Sequence, residues 1–116
     1  MGERRTGKHS NDRLQGTLDL VVLKMLASRG AMHGYAITSD VARLSESVLQ
    51  LQEGSLYPAL HRMTQAGWLR ADWGSSENGR RARYYEITAA GRRQLAQEEK
   101  NWAELTGAVA RILKHA

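Results

Sequence analysis

The sequence has no cysteine, no phenylalanine and only one proline. Without cysteine there are no disulfides, thiolate metal ligands or cysteine nucleophiles, which fits a reducing compartment. Without phenylalanine the core must come from aliphatic side chains, three tryptophans and four tyrosines. Long hydrophobic runs are missing too. The longest, Leu18 to Ala27, is broken by Asp19 and carries Lys24, and it is too short to span a bilayer. The amino terminus is polar rather than signal-like, so a soluble cytoplasmic protein with no membrane partner is expected. Histidines stand at positions 9, 33, 61 and 115, without ligand spacing or an HExxH motif, and no metal site is expected. No P-loop, dinucleotide fingerprint, nucleophile–base set or carboxylate pair can be read. An enzyme is therefore last among the function classes, and no cofactor is expected.

What the sequence does contain is basic charge, unevenly placed. Seventeen Lys and Arg against twelve Asp and Glu give +5 over 116 residues, the length of one domain. Such an excess suits an anionic partner, nucleic acid first. Charge of this size decides little by itself; its position says more. Arg80, Arg81 and Arg83 follow directly on Asn78-Gly79, whereas Glu98, Glu99 and Glu104 fall near the end.

Periodicity divides the chain. Residues 1–12 are polar and carry two glycines; they read as a flexible basic arm. From Leu14 to Ala27, apolar residues at 14, 18, 21, 22, 25 and 26 make one helical face, while Leu20, Leu23 and Ala27 make another. A helix apolar on two sides needs two packing partners, its own core and a second subunit. Gly30 is placed to stop it. A short helix follows over Gly34 to Leu44, with His33 helping to start it, and residues 45–51 show no clear period. A third helix is expected from Ser55, as N-cap, to Ala66, with Pro58 in its first turn and Gly67 as its stop. Its buried face is Leu56, Leu60 and Met63.

Beyond Gly67 the period changes. Leu69 to Trp73 alternates, and Arg83 to Ile87 is rich in strand formers. The turn-forming stretch from Gly74 to Gly79 joins them into a hairpin with a long loop. Tyr84 and Tyr85 point to opposite faces, one into the core. Thr88 then caps a helix from Ala89 to about Lys114, striped by Leu95, Trp102, Leu105, Val109 and Ile112.

The fold class is mainly α with a β-hairpin. A winged helix-turn-helix domain over residues 13–88 is followed by a long C-terminal dimerisation helix over 89–116. Such a fold places a helix in the major groove and the hairpin tip along the phosphate backbone. Ser55, Tyr57, His61 and Arg62 are the outward polar groups of the third helix. Asn78, Gly79, Arg80, Arg81 and Arg83 are those of the loop. His61 faces either the groove or a neighbouring helix, and Tyr57 either packs or meets DNA. Arg83 reaches either DNA or an acid.

Five stretches in register are familiar: Leu14-Gln15-Gly16-Thr17-Leu18-Asp19-Leu20, His33-Gly34-Tyr35, Glu53-Gly54-Ser55-Leu56-Tyr57-Pro58-Ala59-Leu60, Gly67-Trp68-Leu69, and Gly79-Arg80-Arg81-Ala82-Arg83-Tyr84-Tyr85-Glu86-Ile87-Thr88-Ala89-Ala90-Gly91. With them the chain resembles the PadR family of bacterial transcriptional regulators, in its short branch with a single C-terminal helix. The resemblance implies a homodimer, usually a repressor, on a dyad-symmetric operator in double-stranded DNA. It also implies that the third helix and wing touch DNA while the first and last helices build the dimer.

A helix of ~26 residues would extend ~39 Å, beyond a domain this small, so its stripe is expected to pack on a second subunit. Leu20, Leu23, Leu95, Trp102, Leu105, Val109 and Ile112 are the expected dimer contacts. Trp102 is the candidate for a small aromatic ligand of the kind the resemblance implies for some short members. The competing reading is a winged-helix protein-interaction module without specific DNA binding, since fold does not fix function.

Overall fold

The computed structural model describes the backbone of residues 2–116 and the side chains of residues 16–116. Four helices and three strands follow one another as α1 (Gly2–Arg29), β1 (Met32–His33), α2 (Gly34–Leu44), α3 (Glu53–Gln65), β2 (Leu69–Ser75), β3 (Arg81–Ile87) and α4 (Ala89–His115). Helix α1 starts at Gly2, well before the expected Leu14. The arm expected over residues 1–12 falls on side chains outside the described residues. The remaining order is that of a winged helix-turn-helix with a long terminal helix. No helix among the described residues is long and apolar enough to cross a membrane.

The core draws on every element. Val22, Leu23, Met25 and Leu26 of α1 pack with Ile37 and Val41 of α2, Leu56, Leu60 and Met63 of α3, and Leu95 of α4. Tyr85 and Ile87 of β3 and Leu69 of β2 close it from the sheet side. Each such aliphatic side chain contributes roughly 1.5–3 kcal/mol when fully buried. The second face of α1 was expected to wait for a partner subunit, but the structure puts α4 of the same chain against it. Leu23, with no exposed surface, and Leu95 are therefore core residues and leave the set of dimer contacts. Leu20 is half-buried against the same core.

The sheet has a strand that the sequence pattern missed. Met32 and His33 pair with Tyr85 and Tyr84 of β3, giving the antiparallel order β1-β3-β2. Two residues cannot display a period, so no signal existed. The pairing covers the free edge of β3, and His33 then caps α2 by accepting the Ala36 N–H at Nδ1, 3.2 Å away. Helices α1 and α3 end at Gly30 and Gly67 as expected.

The wing root and the start of α4 are built as one piece. The Thr88 N–H donates to the Trp68 carbonyl at 3.0 Å, and its hydroxyl lies 2.7 Å from the Gly67 carbonyl while accepting the Gly91 N–H. Gly91 lies flat against this turn. A Cβ there would stand 2.2 Å from the Trp68 carbonyl oxygen, so no other residue fits without moving the backbone.

Candidate nucleic-acid interface

Helix α3 begins two residues earlier than its sequence suggests. Gln52 takes the extended N-cap conformation without a side-chain hydrogen bond, and Glu53 opens the helix with its negative charge at the positive end. Ser55 is thus not the cap but an exposed residue of the first turn. Pro58 falls in the second turn, where its missing N–H leaves the Gly54 carbonyl without a helical donor.

Leu56, Ala59, Leu60 and Met63 face the core, and Tyr57, His61 and Gln65, spaced by four, share the exposed face. His61 is thereby placed towards solvent rather than against a neighbouring helix. Tyr57 does two things. Its ring lies so close to α2 that a Cβ on Gly34 would sit 2.6 Å from the phenol oxygen, yet 44% of its surface stays open.

Arg62 is the correction on this helix. It turns back to α1 and grips Asp19 with two bonds, Nη1 to Oδ2 at 3.0 Å and Nη2 to Oδ1 at 2.6 Å. Asp19 is only 4% exposed; a carboxylate so buried requires a paired cation. The hydrogen bonds to Asp19 raise the pKa of Arg62, against a lowering by burial, and the charges of Asp19 and Glu98 add to the rise. Two of the arginine's donors are committed to this buried partner, and its side chain is held back towards α1 rather than free to reach outward. Asp19 within an apolar run was the available signal.

The wing is tighter than expected. β2 continues through Gly74 and Ser75, and only residues 76–80 connect it to β3. Ser76 and Gly79 close a turn at 2.9 Å, and Ser76 and Arg80 pair at 2.8 Å. Gly79, at φ +74°, holds the left-handed position required by the three-residue loop 77–79 inside the Ser76–Arg80 pair. Asn78, Gly79 and Arg80 are exposed at the tip.

Along the ladder Trp73 faces Arg83, and Ser75 faces Arg81. Both guanidinium groups lie over the Trp73 ring, at 4.8 Å for Arg81 and 5.6 Å for Arg83. Among the described residues Arg83 makes no ion pair, so the acid partner it could have taken is not there; Arg70 holds Glu86 instead. Tyr85 is the core tyrosine, its pKa raised by burial against a lowering by the charge of Arg83. Tyr84 is half-buried, with its hydroxyl donating to the Ser75 carbonyl at 2.9 Å.

A groove of about 640 Å³ runs between the wing, the first half of α2 and Tyr57 of α3. Tyr35 and Tyr57 line one side of it, and Trp73, Arg80, Arg81 and Arg83 the other. Sequence reasoning gave no role to Tyr35 or Trp73. Both are large exposed aromatics, but their meeting across a groove depends on a register that only the folded chain shows.

A model of the transcriptional regulator PadR-like family matches residues 22–97. The chain belongs to the PadR-like family. Its regulators bind DNA through this winged-helix fold and are transcription factors, not enzymes. A solved PadR family transcriptional regulator from Eggerthella lenta shares 26% identity at a TM-score of 0.74, covering 100% of this chain and 99% of its own. A transcriptional regulator from Clostridium thermocellum shares 28% identity at a TM-score of 0.74, covering 86% of this chain and 95% of that one. An uncharacterised protein of Lysinibacillus sphaericus is 27% identical over 95 residues, 82% of this chain and 86% of that protein.

Proposed function

We propose that this PadR-like regulator is a homodimeric repressor on a dyad-symmetric operator, with Ser55, Tyr57 and His61 on the major-groove side and Asn78, Gly79, Arg80, Arg81 and Arg83 on the phosphate backbone. The observation that carries this reading is the wing itself: three exposed arginines, with no acid partner among the described residues, share one groove with Tyr57 of α3. Unpaired guanidinium groups beside a helix of groove-fitting width suit duplex DNA. The dimer is supported by α4, whose Trp102, Val109, Ile112 and Leu113 remain exposed beyond the core. Trp102 on that face is the candidate contact for a small planar aromatic ligand that would control the repressor.

The test is binding to the DNA upstream of the protein's own gene, across a range of salt. With about eight phosphates neutralised per dimer, log K falls with log salt at a slope near −7. Arg80→Ala weakens binding to all sequences alike, whereas His61→Ala changes the preferred sequence. Binding that ignores both salt and sequence would remove the reading. It would favour the protein-interaction alternative, for which the exposed Leu44, Val48 and Leu49 are the supporting feature.

A further inference from the structure

The wing contains a residue whose chemistry the DNA reading leaves unused. Trp73 is an indole left 57% exposed in the middle of β2. A single exposed ring is ordinary on a protein surface; what distinguishes Trp73 is the pair of cations lying over it. Residues two apart in a strand share a face, so Arg81 and Arg83 stand side by side across from it. Their charges repel one another. No carboxylate relieves that repulsion, because neither arginine forms an ion pair among the described residues. What holds the two together is the ring face beneath both guanidinium carbons. A ring attracts a cation without using up its N–H donors, so the pair stays open to an anion. The acids nearby do not fill that role: Asp40, in the same groove, is engaged by Arg29 and Arg43 at 3.6 and 3.5 Å, and Glu77 is exposed at the turn.

We propose that Trp73 is a positioning residue for DNA binding: its indole holds Arg81 and Arg83 as a paired clamp on the sugar–phosphate backbone of one strand, laid in the groove that Tyr35 and Tyr57 line from the other side. The inference rests on the DNA-binding reading of the wing and adds the residue that makes the wing arginines effective. Ordering two long side chains at the moment of binding is entropically unfavourable, and the ring does part of that ordering before DNA arrives.

The experiment measures binding of the whole chain to a fluorescein-labelled mixed-sequence duplex of ~30 base pairs, about three helical turns, by anisotropy at increasing salt. Trp73→Leu keeps an apolar side chain but removes the ring. It is expected to weaken binding about tenfold and to flatten the salt slope by about two to four units, roughly 0.9 for each phosphate no longer neutralised on the dimer's two wings. Trp73→Phe restores most of both. In an Arg81→Ala/Arg83→Ala background, Trp73→Leu has no further effect.

A hairpin-stabilising role alone would lower the melting temperature and leave the salt slope unchanged. If Trp73→Leu does not melt cooperatively, the Trp, Tyr and Phe forms at position 73 replace it, with affinity expected to fall in that order. Unchanged affinity and slope in Trp73→Leu, equal affinity across the three aromatic forms, or a weakening that persists without the two arginines overturns the proposal while the DNA reading stands. Wild-type protein that shows no salt-dependent binding overturns both.

Discussion

Asp19 and Arg62 show how a polar pair can decide what a recognition helix is free to touch. The carboxylate is nearly sealed in the core, and the guanidinium that satisfies it comes from α3 with a two-bond fork. A bidentate bond fixes angle as well as distance, so the pair sets the rotation of α3 against α1. Breaking one half leaves the other buried and uncompensated, a change that costs about 3–5 kcal/mol in closed sites. Arg62 is itself partly open, so Arg62→Ala is expected towards the lower end, ~3 kcal/mol. Urea unfolding of the folded chain would measure this. Asp19→Asn combined with Arg62→Gln should regain part of the stability, and a single variant as stable as wild type would show that water already serves the carboxylate. This pair was only half legible in the sequence. The helical period put Arg62 off the face of Leu56, Leu60 and Met63, which is correct. A wheel, however, does not say that the next face along meets another helix.

At the scale of elements, legibility follows the strength of the local code. Thr88 was readable as a cap because threonine supplies a side-chain acceptor, and it does so to Gly91. The start of α3 was misplaced because Gln52 caps with backbone geometry alone, which leaves no mark in the residue type. The strand β1 was invisible at two residues, and the roles of Tyr35 and Trp73 needed pairing partners far along the chain. Helix α4 is the clearest case of a pattern read correctly and assigned too widely. Its stripe is real, yet Leu95 serves the chain's own core while Trp102, 45% exposed, does not. Under the proposed function, Trp102 is the indole on which a planar ligand would stack. Titration with flat aromatic compounds is expected to quench tryptophan fluorescence in wild type and not in Trp102→Ala. Equal quenching in both would move the ligand elsewhere.

For the whole molecule, the feature that matters is the run of apolar side chains on α4 that the described residues leave open. The helix's 27 residues span about 40 Å. Among the described residues its first half is anchored through the buried Leu95 and the ion pair of Lys24 with Glu99 at 3.9 Å. The rest carries Val109, Ile112 and Leu113 into solvent, with Leu105 half-buried. Covering such a face with its own copy is the commonest solution in homo-oligomers. Ile112→Asp places a charge at a site now 63% exposed, where it should barely alter the fold of one chain. By sedimentation the wild type is expected as a dimer and the variant as a monomer. A variant that remains dimeric would place the contact elsewhere, with α1 and Leu20 next in line.

The joint at Gly91 gives such an assembly a property of its own. Because the start of α4 is wedged under the Trp68 carbonyl and stitched to the wing root through Thr88, the helix leaves the DNA-reading head at a set angle, without a hinge. Two heads joined along α4 would then behave as a gauge of fixed jaw width. An operator whose half-sites stood slightly too far apart would be met by twisting or bending the duplex, since the protein has no slack at this joint with which to reach.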